Sequence, residues 1–547
     1  MSDPLEKTEK QTLKKQAITR VLWTLALALG IALAWWSHRG QTTHLADASR
    51  LKVPCVSYAP FRRDGANPAR LGGDISPAHI EEDLRLVKTL SACIRTYGVG
   101  KGLEAVPEIA TKLGLRLRLG VWLGRDIQAN QIEMDTALAL TRRYPQTIDL
   151  LIIGNEVLLR QDLSPEALTA HLKDAKARSA VPVSYADVWE FWRRHAALKQ
   201  FVDVVTVHVL PYWEDEPVPA SLAASHVFDT VHVMQKEFSG HPVWLGETGW
   251  PAAGRQRAGA QPGVVEQTQV LRDVMLRAAQ EGLDVNLIEA FDQPWKRNLE
   301  GGMGGAWGLF RADSSQRMTF QGPVREDSLW WRGPLAALLT GLAALVLHLS
   351  RPHRATSFGW VLALALAGAV APAHFDAMAL WSRDRDEWGI AIAATVLVST
   401  GAFALLWNLF EKQERRIVLS KFLSFALLVT SCVWAWYLWV DPRYRGFPIA
   451  LFYCPAVYSL CLMIERGTIS RYRTGLKQPT MTMPSLSWTS LHTLAVGAIA
   501  ICLAYFSFKI MMAEGIKNTQ ALIMGLLWIL IALGQIVACY PRHPVKA

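Results

Sequence analysis

Two short stretches carry the residues best suited to chemistry, Ile153-Gly154-Asn155-Glu156 and Leu245-Gly246-Glu247-Thr248-Gly249-Trp250-Pro251. Each places a glutamate at the end of a run that reads as a buried β-strand. Two carboxylates held across one pocket can cleave a glycosidic bond, one as acid/base and the other as nucleophile. A single glutamate at a strand end is more often a salt-bridge partner. Two of them, each with a special neighbour, change the weighting. Asn155 can donate a hydrogen bond to a sugar 2-hydroxyl, Gly246 lets the backbone approach closely, and the Gly249-Trp250-Pro251 turn fixes the loop after Glu247.

The elements that must position these glutamates recur regularly. Short apolar, β-branched runs fall at Val53–Ala59, Ile94–Tyr97, Leu115–Leu123, Ile148–Ile153, Val181–Tyr185, Val204–Val209, Val243–Gly246 and Val285–Ala290. Helix-like stretches lie between them, including Ala78–Leu90, Leu103–Leu113, Ser164–Ala177 and Val264–Glu281. Ser76-Pro77 and Ser164-Pro165 read as N-cap followed by proline in the first turn. Eight strand-then-helix units in roughly 250 residues match a (β/α)8 TIM barrel, whose chemistry sits at the C-terminal ends of its strands. An open doubly wound sheet is the second choice and normally has fewer strands. In a barrel, Glu156 and Glu247 end strands four and seven, which face one another.

With these motifs in place, the chain resembles glycoside hydrolase family 17. Gly154-Asn155-Glu156-Val157 is similar to that family's acid/base motif, and Gly246-Glu247-Thr248-Gly249-Trp250-Pro251 to its nucleophile motif. Ile94-Arg95-Thr96-Tyr97-Gly98 and Phe291-Asp292-Gln293-Pro294-Trp295-Lys296 resemble its second- and eighth-strand signatures. The resemblance covers about residues 50–312 and ends on Gly304-Gly305-Ala306-Trp307-Gly308-Leu309-Phe310. It implies Glu156 as acid/base, Glu247 as nucleophile, retention of configuration and β-glucan substrates. It also implies that Tyr212 contacts the nucleophile and that Tyr97 and Trp295 line the sugar site. Asn155, Tyr185, Trp250, Glu289, Asp292 and Lys296 complete the expected substrate-binding set, the last three as substrate-contacting or supporting groups. His208 and Asp187 are open between site and scaffold. No metal and no cofactor are expected.

Composition bounds the rest. The chain has 547 residues, 51% of them hydrophobic, a positive mean hydropathy and a formal net charge of +10. Much of the basic excess lies in short loops between apolar runs, where it reports membrane orientation rather than nucleic-acid binding. The 22 tryptophans suit both sugar platforms and membrane interfaces, so the number alone does not separate the two. Five of seven cysteines, Cys432, Cys454, Cys461, Cys502 and Cys539, sit in apolar runs and read as small hydrophobes. Cys55 and Cys93 lie on the first two strands and form either a disulfide or two reduced core thiols.

Residues 21–37 form an apolar stretch behind Lys14, Lys15 and Arg20, and Trp35-Trp36 resembles an interfacial anchor. We read it as an uncleaved signal-anchor helix after a cytoplasmic N-terminus, 1–20. The barrel spans 45–315. An all-α transmembrane domain of seven helices follows over 334–540, at 334–350, 358–382, 388–410, 419–440, 447–465, 488–510 and 519–540, and a cytoplasmic tail spans 541–547. One set of loops carries Arg351 and Arg354, Lys412, Arg415, Arg416 and Lys421, then Arg466, Arg471, Arg473 and Lys477. Arg542 and Lys546 follow in the tail. The alternate loops hold only Arg383, Arg385, Arg443, Arg445, Lys509 and Lys517. The positive-inside rule therefore sets the barrel on the non-cytoplasmic face, in the periplasm of a bacterial inner-membrane protein. His374 and Asp376, near the outer end of the third helix, are either functional groups or an interfacial pair.

These readings predict a membrane-anchored retaining β-glucan transglycosylase or glucan synthase acting on β-1,3- or β-1,6-glucans. Eight membrane helices are more than a secreted degradative enzyme needs. The expected partners are a β-glucan chain and the lipid bilayer. Activated sugar comes from a partner synthase or exporter, or the donor is itself a glucan. A β-1,3-glucan hydrolase and an inactive glucan-binding assembly protein are the alternatives.

Overall fold

The computed structural model describes residues 4–48, 52–63, 66–68, 75–349, 357–410, 417–441, 444–473 and 488–539. They form two compact units, Thr42–Val324 and a second made of Met1–Gln41 with Arg325–Ala547.

The first unit is a closed parallel barrel. Its strands are β1 (Cys55–Ser57), β2 (Cys93–Arg95), β3 (Arg116–Val121), β4 (Ile148–Asn155), β5 (Val183–Val188), β6 (Val204–His208), β7 (Val243–Thr248) and β8 (Val285–Leu287). Each pairs with the next, and β8 closes on β1. The main intervening helices are α1 (Pro77–Leu90), α2 (Val106–Leu113), α3 (Ile127–Arg143), α4 (Pro165–Arg178), α5 (Trp189–Arg194), α6 (Ala220–Glu237) and α7 (Val264–Glu281). The expected caps are present: Ser76 accepts from the His79 amide and Ser164 from the Ala167 amide.

Side chains alternate along the strands up to their C-terminal ends. Val56, Ile94, Leu117, Leu119, Leu151, Ile153, Val205, Val207 and Leu245 face outward into the main core against the helices. Cys55, Cys93, Leu150, Ile152, Ala186 and Trp244 pack together in the barrel interior, with the Arg118 guanidinium 3.9 Å from the Trp244 ring.

Cys55 and Cys93 are joined by a disulfide with 4.4 Å between Cα atoms. Of the two states open from sequence, the structure takes the bonded one, because β1 and β2 are hydrogen-bonded neighbours and both side chains point inward. A bond across 38 residues contributes about 4 kcal/mol by loop-closure entropy. We therefore expect Cys55→Ser/Cys93→Ser to lower the barrel's denaturation midpoint measured by tryptophan fluorescence. An unchanged midpoint in the double variant would show that the bond adds nothing.

In the second unit the helices are Pro4–Arg39, Arg332–Leu349, Ser357–Trp381, Arg385–Phe410, Ile417–Val440, Ile449–Arg473, Trp488–Glu514 and Thr519–Cys539. Six contain stretches long and apolar enough to cross a membrane. The apolar parts of the other two, Arg332–Leu347 and Ile449–Ile464, are shorter. His374 Nε2 lies 2.8 Å from the Thr395 hydroxyl, and Asp376 accepts from Arg332, which also donates to Asp327. These bonds tie both residues into helix packing. Arg351, Arg354, Lys412, Arg415, Arg416, Arg443, Lys477, Arg542, Lys546 and the tail 541–547 lie outside the described residues.

Candidate active site

Strict alternation would have turned Asn155 and Glu247 away from the barrel mouth. Asn155 shares the parity of Leu151 and Ile153, and Glu247 that of Leu245, all of which face the helices. Two register irregularities reverse this. On β4 the pairing shifts between Ile152 and Asn155, where Gly154 takes φ +81° and a Cβ would meet Val157 Cγ2 at 2.6 Å. On β7 the pairing shifts so that Val207 opposes Leu245 but His208 opposes Glu247. Such bulges re-aim side chains beside active sites. Glu156, the next residue after β4, has φ +51°, a left-handed conformation costly for a side chain other than glycine.

The outcome is a compact charged cluster at the C-terminal mouth. Arg95, at the end of β2 and fully buried, donates one guanidinium nitrogen to Glu247 Oε1 and another to Asn155 Oδ1. His208, at the end of β6 and also fully buried, has Nδ1 3.0 Å from Glu156 Oε1 and Nε2 3.8 Å from Glu247 Oε1. A carboxylate oxygen of Glu156, one of Glu247 and a His208 nitrogen all lie within 4.8 Å of one another. That spacing suits the pair of carboxyls of a retaining glycosidase, roughly 5–5.5 Å apart, and is short of the 6.5–9.5 Å of an inverting one. The three groups are also close enough to ligate a metal ion. Against that, Arg95 already donates to Glu247 Oε1, the oxygen nearest His208, and its positive charge opposes a cation there.

Electrostatics separate the groups. Burial alone would raise the Glu247 carboxyl. The charges of His208, Arg95 and Lys296 and the Tyr97 hydroxyl outweigh it, holding Glu247 below the usual range and therefore ionised. Burial pushes Glu289 up to about 7 although Lys296 Nζ sits 2.8 Å away. Desolvation also pushes Glu300 up to about 7, opposed by Lys296 and reinforced by Glu156 and Glu247. Asp187 rises to about 6, mainly through burial, while the Tyr185 hydroxyl donates to it.

The expected substrate set divides. Tyr97 lies at the mouth with its ring 4.3 Å from the Arg95 guanidinium carbon, and Asn155 and Lys296 stand beside the glutamates. Trp295 is half-buried and donates to Gln293 Oε1 at 2.8 Å. Asp292 is taken up by Arg317 at 2.5 Å and the Gly308 amide at 2.9 Å, so it braces the loop after β8. Three residues require correction, because Tyr185, Tyr212 and Trp250 are fully buried. Tyr185 faces outward from β5 onto Trp192. The Tyr212 hydroxyl donates to the Arg255 carbonyl at 2.6 Å, and Trp250 Nε1 to the Gln261 carbonyl at 3.0 Å. They pack beneath the site. Glu247 itself is approached by Arg95 and, at 3.8 Å, by His208.

Arg95 and Glu300 were not singled out from sequence. Arg95 carried a signal, an arginine closing an otherwise apolar strand. Glu300 carried none, since only the loop after β8 brings it near the other carboxylates.

The barrel is similar to several known proteins. Residues 55–308 match the model of the BtgE/BtgC glycoside hydrolase domain. These residues are similar to a family 17-like glycoside hydrolase domain. A glucan 1,3-beta-glucosidase of Candida albicans is 26% identical over 258 residues, 43% of this chain and 83% of the relative. The probable glucan endo-1,3-beta-glucosidase btgC of Aspergillus fumigatus is 25% identical over 272 residues, 44% of this chain and 39% of the relative. Among solved structures, an active-site mutant of Rhizomucor miehei beta-1,3-glucanosyltransferase in complex with laminaritriose is 24% identical. It covers 50% of this chain and 99% of its own, with a TM-score of 0.44. The glycoside hydrolase domain makes the protein a glycosidase-type enzyme.

Proposed function

We propose that the chain is a membrane-anchored, retaining β-glucan transglycosylase with Glu247 as nucleophile and Glu156 as acid/base. The observation that carries this reading is the approach of the two carboxylates within 4.8 Å, with Arg95 on one and His208 between them. Glu247 attacks the anomeric carbon while Glu156 protonates the departing glycosidic oxygen, leaving a glycosyl-enzyme ester. Glu156, now a carboxylate, takes the proton from an incoming sugar hydroxyl as that oxygen displaces Glu247. When water takes the acceptor's place the outcome is hydrolysis.

The curated relatives are named as 1,3-β-glucosidases, which supports a β-1,3-glucan donor. Tyr97, Trp295 and Lys296 contact the sugar ring on the Glu247 side, and Glu289 holds Lys296 from beneath. Transfer, with formation of a β-1,6 bond, accords with an enzyme that stays in the membrane. All eight helices cross the bilayer, and the basic loops face the cytoplasm. The barrel then works on the non-cytoplasmic side, where its disulfide is stable.

Full-length protein in detergent, incubated with a β-1,3-gluco-oligosaccharide, should yield products longer than the substrate by mass, with new linkages visible on linkage analysis. Only shorter products at every substrate concentration would reduce the assignment to hydrolysis.

A further inference from the structure

We propose that Trp122 is the stacking platform for the sugar on the leaving-group and acceptor side of Glu156, an inference that rests on the roles just given to Glu156 and Glu247. Trp122 directly follows β3 on the catalytic rim and is 44% exposed. Among the described residues 42–324 it is the one exposed Trp, Tyr or Phe. Solvent exposure of an indole is unfavourable unless something covers it in use.

Its surroundings hold it rather than leave it loose. The Arg160 guanidinium lies 4.2 Å from the ring centre and is anchored in turn to the Asn155 carbonyl and, at 2.9 Å, to the Leu123 carbonyl. The Arg160 amide donates to the Glu156 carbonyl at 2.8 Å. Glu133 accepts from the Trp122 amide at 3.3 Å and from Gly100 in the β2 loop at 2.8 Å. A single arginine therefore links the indole to the backbone that carries the acid/base.

Position selects the occupant. In an eight-stranded barrel, β3 is four strands from β7 in either direction, so Trp122 lies across the mouth from Glu247 and beside Glu156. A glycone covalently held by Glu247 cannot also cover it. The sugar whose oxygen exchanges a proton with Glu156 is the one placed to do so. The C–H face of a β-linked pyranose fits an indole whose other side is occupied by a guanidinium.

The test is binding of a β-1,3-linked gluco-hexaose, by calorimetry, to full-length Glu247→Gln protein with and without a change at position 122. Trp122→Ala should raise Kd about tenfold, the scale of one lost aromatic stack, and Trp122→Phe should recover most of it. In the active chain, Trp122→Ala should also lower the ratio of transfer to hydrolysis products. Equal Kd values in the two backgrounds, or no measurable hexaose binding, would overturn the platform. Glu156→Gln serves as a second inactive background if Glu247→Gln does not fold. Trp122-dependent binding in a wild-type chain without turnover would sink the enzyme assignment and leave the platform standing.

Discussion

Glu247→Gln is expected to lower turnover of β-1,3-gluco-oligosaccharides by about 10⁴-fold or more, the scale seen when a covalent nucleophile is removed. The amide keeps the size of the side chain and the Arg95 contact but cannot form a stable glycosyl ester. The decisive readout is stereochemical. With an activated aryl β-glucoside and azide, Glu247→Ala should give the α-glycosyl azide, because azide enters where the carboxylate stood. Glu156→Ala should give the β-azide, because there azide displaces an intact glycosyl-enzyme. Interchanged anomers would reverse the two roles, and full turnover by Glu247→Gln would remove Glu247 from the chemistry.

The second large effect is expected from Arg95, which touches both Glu247 and Asn155 from a fully buried position. Arg95→Met should lower kcat/KM about 10²- to 10³-fold, as when one preorganised donor is lost. It should also change the pH profile in a defined direction. Glu247 is held below the usual carboxylate range and attacks only when ionised, so activity is lost as pH falls through its pKa. Without the guanidinium, burial is less opposed, the carboxyl rises, and the acid limb moves to higher pH. Arg95→Lys retains charge without the two-pronged geometry, so its acid limb should stay near the wild-type position while the rate still falls. A slower Arg95→Met enzyme with an unmoved acid limb would make Arg95 a packing residue only.

Much of the barrel was legible because its signals are local. β-Branched runs, Ser-Pro helix starts and eight repeats mark elements whose formation depends on near neighbours, and the structure has a strand at each of the eight places. The disulfide was open until β1 and β2 were adjacent. Tyr185, Tyr212 and Trp250 misled for a shared reason. Residue type and proximity to a motif suggest a sugar contact, but the direction the side chain takes in the fold decides it, and all three turn into packing.

The sequence by itself determined the strand–helix alternation, the two carboxylates near strand ends and the apolar segments, because periodicity and composition are properties of short stretches. The tertiary structure alone decided that the carboxylates meet. By simple alternation Asn155 and Glu247 belong with the helix-facing residues, and two irregular pairings, at Gly154 on β4 and opposite His208 on β7, turn them into the barrel mouth. Those irregularities exist only when neighbouring strands are in place. For the same reason the pairing of Arg95 from β2 with Glu247, and of His208 from β6 with Glu156, is set only once the barrel closes.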